Sequence, residues 1–158
     1  MKILLTGVTG YIGKRILPVL VNMGHHVVCC VRDKSRFNPP KHLKTNISVI
    51  EIDLLNTTSL TKIPNDIDIA YYLVHSMAVS DNYKNLEQQC AINFRNALLE
   101  KDVKQVIYLS GIVNESKLSK HLLSRKIVEE ELEKGKFALT CFRAGIIVGS
   151  GSASFEIM

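Results

Sequence analysis

Within its first thirteen residues the chain runs an apolar stretch into three glycines: Lys2-Ile-Leu-Leu-Thr-Gly-Val-Thr-Gly-Tyr-Ile-Gly13. An amphipathic segment follows at once. The pattern predicts a strand, a glycine turn and a helix. Gly7 permits the backbone angles of a sharp strand-to-helix turn. Gly10 has no side chain, so a phosphate can approach the main chain closely. Gly13 lets the new helix pack tightly. Such a helix aims its free N–H groups and its positive dipole end at the phosphates. The spacing is GxxGxxG rather than the more familiar GxGxxG. Turns also collect glycine for steric reasons alone, so a purely structural turn is the alternative. The position, where a first βα unit should lie, favours a dinucleotide cradle.

The remaining chain keeps the same rhythm. Strands are expected at Lys2–Thr6, His26–Val31, Ser48–Ile52, Ile67–Leu73, Gln105–Ser110 and Ala138–Phe142. Helices are expected at Tyr11–Asn22, Ser59–Lys62, Tyr83–Lys101 and Ser119–Lys134. Alternation of this kind predicts an α/β fold, a Rossmann-type doubly wound parallel sheet of strand order 3-2-1-4-5-6. Gly24 should end the first helix, and Pro39-Pro40 should break the loop after the second strand. Pro18 falls inside the first helix and should bend it or cost it a hydrogen bond. Residues 1–142 read as the dinucleotide-binding domain and 143–158 as the start of a substrate-binding region.

Composition narrows the partners. Hydrophobic residues are 46% and charged residues 22% of 158, which suits one globular domain with a real core. No apolar stretch approaches the roughly 18–20 residues of a membrane span. The strand pattern begins at the first residues, so no signal peptide is expected and the assignment is cytoplasmic. The formal charge of +5 is spread without a basic run, which argues against nucleic acid and for a solvated surface tilted towards an anionic cofactor. Cys29, Cys30, Cys90 and Cys141 lie in apolar runs without metal-ligand spacing. They are expected to be reduced, buried thiols, and no metal site is expected.

Thr6-Gly-Val-Thr-Gly-Tyr-Ile-Gly13 with this β/α rhythm resembles the extended and atypical short-chain dehydrogenases/reductases. Four further segments narrow the resemblance: Tyr71–Met77 (YYLVHSM), Tyr108–Gly111 (YLSG), Leu118–Arg125 (LSKHLLSR) and Arg143–Phe155 (RAGIIVGSGSASF). They resemble a bacterial NAD(P)-binding group described as NmrA-like or nucleoside-diphosphate-sugar epimerase-like. The resemblance implies that Gly7, Thr9, Gly10, Tyr11, Ile12 and Gly13 hold the pyrophosphate. Relatives place an acid at the end of the second strand to bind the adenine ribose. Here that place is Val31, followed by Arg32, whose guanidinium suits a 2′-phosphate, with Lys34 and Arg36 nearby. Asp33 is the counter-signal. The expected cofactor is NADP(H), with NAD(H) as the second choice. Asp53 is expected to meet the adenine amino group and Leu54 to cover the ring; the alternative is an Asp that caps the segment Asn56–Lys62. Leu73, Val74 and His75 are expected to pass along the ribose and pyrophosphate, and Asn93 to brace their strand.

The resemblance also implies a Ser-Tyr-Lys catalytic set. Ser110 matches the serine. His121 and Arg125 stand where relatives carry Tyr and Lys, with the same spacing of four on one helix face. His121 can move a proton near neutral pH, and Arg125 can hold ribose or phosphate. The alternative is a helix surface pair without a catalytic role. Two functions lead, a reductase or epimerase-like enzyme acting on an unknown small molecule or a non-catalytic sensor of NADPH/NADP that regulates a partner protein, and an assembly or scaffold role using a structural nucleotide is the third. A homodimer is compatible with each. Phe155-Glu-Ile-Met158 resembles the start of a further helix, so the chain is expected to be a truncated form, a piece of a longer reading frame or a natural short form, with little or no dehydrogenase activity by itself.

Overall fold

A computed structural model describes residues 1–75, 83–112 and 119–151, with Tyr83 described by its backbone alone. Six strands form one sheet: β1 (Lys2–Leu5), β2 (His26–Val31), β3 (Ile47–Glu51), β4 (Ile69–Tyr72), β5 (Gln105–Gly111) and β6 (Ala138–Ala144). Every neighbouring pair is parallel, and the order is 3-2-1-4-5-6, as expected from the sequence. The helices are α1 (Tyr11–Asn22), α2 (Thr57–Leu60), α3 (Tyr83–Leu99) and α4 (Lys120–Glu133).

The unbroken apolar runs of the inner strands have a simple cause: both faces of the sheet are covered. Ile3 and Leu5 of β1 pack with Val27, Cys29 and Val31 of β2 under Leu17, Leu20 and Val21 of α1. Leu4 points the other way and joins Ala91, Phe94 and Leu98 of α3 and Val128 and Leu132 of α4. Strand order reverses between β1 and β4, so the carboxyl ends of these two neighbours flank the crevice where α/β sheets bind ligands.

Differences from expectation are local. Helix α1 runs unbroken through Pro18, which leaves the Lys14 carbonyl without its usual i+4 donor. Gly24 follows the helix at φ +80°. The stretch after β2 contains two 3-10 turns, Lys34–Arg36 and Lys41–Asn46, where a plain loop was expected. Helix α2 starts at Thr57 because Asn56 caps it through the Thr58 N–H. Strand β6 continues to Ala144, two residues past its expected end. Ser76 and Met77, Leu118, and residues 152–158 with the helix expected near Phe155 lie outside the described residues. No described helix is long and apolar enough to cross a membrane.

Candidate functional site

The glycine turn is built by contacts that no side chain could share. Gly7 adopts φ +65°, and a Cβ there would stand 2.5 Å from the Leu73 carbonyl oxygen. Gly7 thus makes the turn and seats it against the end of β4. A Cβ on Gly13 would run into the Gly7 carbonyl oxygen and lie 2.7 Å from Val8 Cα. Gly13 therefore packs α1 onto the turn itself rather than onto a strand. Gly10 is looser: its Cβ position is 3.2 Å from the Gly7 oxygen, and the residue is exposed. Its N–H donates to Gly7 O at 2.9 Å. Gly10 is also the N-cap of α1 and offers no side chain to close the first-turn N–H groups of Tyr11, Ile12 and Gly13. Thr9 is exposed beside it.

Thr6, quoted in the motif but given no role, locks this turn. It is buried, its N–H and Oγ1 both donate to the Tyr71 carbonyl (3.1 and 2.9 Å), and Oγ1 accepts from the Leu73 N–H at 3.1 Å. The signal was available as a hydroxyl ending an apolar strand.

The far end of the crevice holds the residues expected around the adenosine. Val31 is buried at the end of β2, and Arg32 and Asp33 are exposed. Asp33 Oδ1 accepts from the Ser35 hydroxyl (2.6 Å) and the Ser35 N–H (2.9 Å), and these bonds hold its carboxyl below the usual carboxylate range. Asp33 is thus tied into its own 3-10 turn, while Arg32 precedes that turn. Asp53 accepts from the Leu55 N–H at 3.0 Å and does not cap α2, the cap being Asn56. Leu54 is turned into the core at 6% exposure, whereas Leu55 is 45% exposed. Asn93 donates to the Leu54 carbonyl at 2.8 Å, so it braces the loop after β3 and not β4. Cys90 of α3 shares this end: burial pushes its thiol up to about 11, and the charges of Asp53, Glu87 and Arg32 also act on it. Cys90 on α3 and Cys141 on the edge strand β6 are only half-buried, unlike Cys29 and Cys30 of the inner strand β2.

At the junction of β4, β5 and α4, the expected trio is not brought together as such. Arg125 is half-buried, and its Nη1 contacts His75 Nε2 at 2.8 Å and donates to the Leu109 carbonyl at 3.3 Å. A guanidinium only donates, so Nε2 accepts and His75 is neutral. Burial, and next the Arg125 charge, push the His75 pKa down to about 4, against a smaller opposing contribution from the Leu109 backbone. Tyr108 Oη donates to the Arg125 carbonyl at 3.2 Å. Gly111 gives the room: a Cβ there would stand 2.6 Å from Leu122 Cδ2 and 3.3 Å from Arg125 Cδ. The histidine that meets Arg125 is therefore His75, fifty residues away, while His121 is exposed on the first turn of α4. Ser110 is 2% exposed, and its Oγ has no hydrogen-bond partner among the described residues. It lies near enough to Glu129 and Cys141 to bias their ionisation without meeting hydrogen-bond geometry. Sequence spacing could not anticipate the Arg125–His75 contact or the need for Gly111.

Comparison with known proteins places these features in context. The profile of the NAD dependent epimerase/dehydratase family matches residues 3–115. UDP-N-acetyl-alpha-D-glucosaminuronate decarboxylase of Bacillus cytotoxicus is 29% identical over 117 residues, covering 69% of this chain and 36% of that protein. Among solved structures, the Bordetella bronchiseptica enzyme WbmH in complex with NAD+ superposes with TM-score 0.78 at 17% identity, covering 99% of this chain and 59% of that one. The Citrobacter triphenylmethane reductase complexed with NADP(H) superposes with TM-score 0.73 at 16% identity, over 90% and 49%. The chain spans less than two fifths of the length of the curated relatives it matches.

Proposed function

The chain belongs to the NAD dependent epimerase/dehydratase family, and on that footing we propose that it binds a nicotinamide dinucleotide, with NADP(H) favoured over NAD(H), as the cofactor domain of a reductase or epimerase-like enzyme. One observation carries the reading. Gly7, Gly10 and Gly13 build a turn in which a Cβ meets backbone, and α1 begins there with no capping side chain. A helix start left open in this way suits a pyrophosphate, through its N–H groups and its dipole. Tyr11, Ile12 and Gly13 would supply those N–H groups. Thr9 borders them. The end of β4 at Leu73, Val74 and His75 would run beside the ribose.

The preference for NADP(H) rests on Arg32. Asp33 is engaged by Ser35, so the acid that would compete for a ribose is held in its own loop. Arg32 is exposed and carries the charge a 2′-phosphate needs. Asp53 would meet the adenine amino group. The bound dinucleotide supplies hydride transfer. The chain's own residues hold and orient it, and His121, exposed on the first turn of α4, is the group we assign to proton transfer.

A second reading is a non-catalytic sensor of the same dinucleotide. The observation that favours it is the Arg125–His75 contact, which commits the residue in the lysine position to an internal bond. The experiment on the first reading is calorimetric titration of NADPH and NADH against the chain and against Gly10→Val. Loss of affinity by an order of magnitude or more supports the cradle; equal affinity in the variant puts the site elsewhere. NADPH oxidation with small carbonyl compounds and quinones, compared between the chain and His121→Ala, separates enzyme from sensor. Turnover that depends on His121 supports the enzyme; tight binding without turnover supports the sensor.

A further inference from the structure

Strand β6 lies at one end of the sheet, and α1 rises from β1, three strands away in the order 1-4-5-6. Parallel neighbours are about 4.8 Å apart, so the gap is roughly 14 Å, a distance that five or six extended residues can span. Residues 145–151 follow β6 and arrive at α1. A Cβ on Gly149 would run into the Tyr11 hydroxyl. Arg15, one turn into α1, lays its guanidinium over the Tyr11 ring at 3.7 Å and donates through Nη2 to the Ser150 carbonyl at 2.5 Å. Its Nη1 reaches the Tyr11 carbonyl at 3.4 Å. The segment thus crosses the carboxyl edge of the sheet and is fastened beside the glycine turn.

We propose that Arg15 is a positioning residue for the dinucleotide: by stacking on Tyr11 and holding Ser150 it keeps residues 145–151 as a strap across the crevice, and bound dinucleotide leaves when this clasp opens. The proposal rests on the dinucleotide reading above. A guanidinium suits the task because its flat face stacks on the ring while its edge donates to a carbonyl. Gly149 suits it because a side chain there would displace either the Tyr11 hydroxyl, and with it the Arg15 stack, or the strap. Arg15 is exposed and alanine is a good helix former, so its removal leaves the core untouched.

The test follows NADPH fluorescence by stopped flow for the wild-type chain, Arg15→Ala, Arg15→Lys and Gly149→Ala. Hydrogen exchange at residues 145–151 is measured on the same proteins without nucleotide. Loss of one stack and one hydrogen bond should raise the NADPH off-rate roughly three- to tenfold in Arg15→Ala. The on-rate should change less, and exchange protection of the strap should fall. Gly149→Ala should act in the same direction, and Arg15→Lys should fall between. An off-rate unchanged in Arg15→Ala overturns the proposal, whether or not protection is lost. A raised off-rate with full protection also overturns it, since Arg15 would then touch the nucleotide directly. A wild-type chain that binds no NADPH overturns the dinucleotide reading, and the proposal with it.

Discussion

Two helices of this fold follow strands at the carboxyl edge of the sheet, and they start differently. Helix α1 begins at Gly10, with no capping side chain. Helix α4 begins at Ser119, whose Oγ accepts the Leu122 N–H at 3.3 Å. Beyond these starts the contrast widens. Around α1 the backbone is shaped by glycines and the N–H groups are left for something outside the chain. Around α4 the polar groups turn inward: Arg125 to His75 and Leu109, and Tyr108 to the Arg125 carbonyl. On the proposed reading the first junction receives the dinucleotide, while the second holds strands β4 and β5 to a helix.

The largest effect that would break this contrast is steric. Gly13→Val puts a side chain into the Gly7 carbonyl and Val8 backbone, which cannot move without dismantling the turn. It should destabilise the chain by roughly 3–5 kcal/mol. Gly24→Ala makes the control. Gly24, unlike Gly13, is at positive φ, +80°, and nothing stands within 4 Å of its Cβ position. Only left-handed strain remains there, about 1–2 kcal/mol. Urea unfolding of both variants measures the gap. Similar losses would mean that the first junction is governed by backbone conformation generally and not by its close contacts.

At the second junction the expected effect depends on pH. His75 has a folded pKa of about 4 against an ordinary 6.5. Between these values the unfolded chain binds more protons than the folded one, so stability falls as pH falls. The contribution is intact above pH 6.5 and is lost progressively down to pH 4, by roughly 3 kcal/mol in all. The acids whose pKa values are lowered, Glu129 and Glu131 among them, act from 4.5 downward, so the comparison is made above that pH. In His75→Gln a side-chain oxygen can still accept from Arg125, but nothing titrates. Its stability between pH 6.5 and 4.5 should be flatter than that of the wild type. Parallel curves would show that His75 is not a neutral acceptor of the Arg125 guanidinium.

The same contrast explains what could be read from the chain in advance. The sheet order was legible because the inner strands are apolar on both faces and three of them, β1, β4 and β5, are followed by a helical period. The turn was legible because its determinants, Gly7 to Gly13, are adjacent in sequence and act through the absence of atoms. Arg125–His75 was not, since its partners are fifty residues apart and histidine at a strand end has many uses. Leu54 was expected to face the adenine because it is apolar and follows Asp53; the core took it, and the neighbouring Leu55 is the exposed one. Asn93 was assigned a bracing role, and its target proved to be the Leu54 carbonyl. Local backbone chemistry can be read along a chain, whereas which side chain wins a long-range contact depends on packing that only the fold decides.

A mid-sized effect sharpens the contrast on the receiving side. Arg32→Ala should weaken NADP binding by about 1.5–3 kcal/mol, the value of charge-assisted bonds to a phosphate, and leave NAD binding nearly unchanged. Asp33 should not take over, because Ser35 holds its carboxylate. Calorimetry with both dinucleotides decides. Tighter binding of NAD than NADP by the wild type would remove Arg32 from the site.

The smallest expected effect tests the two helix starts directly. Ser119→Ala removes the side-chain acceptor of the Leu122 N–H, a capping contact at the start of α4. Loss of such a cap costs about 1 kcal/mol, and the 3.3 Å length of this bond argues for the lower half of the usual range. The cost should appear as a lower urea midpoint with an unchanged slope, since the surface exposed on unfolding stays the same. Dinucleotide affinity should not move, because the Ser119 hydroxyl is engaged with the Leu122 N–H of its own helix. A variant that keeps its stability but loses NADPH affinity would reverse the assignment: α4 would then be a receiving helix, with Ser119 facing the cofactor. The pairing of lost stability with retained affinity is what separates a structural cap from a binding one, and α1, with glycine in the same place, is the standard against which it is measured.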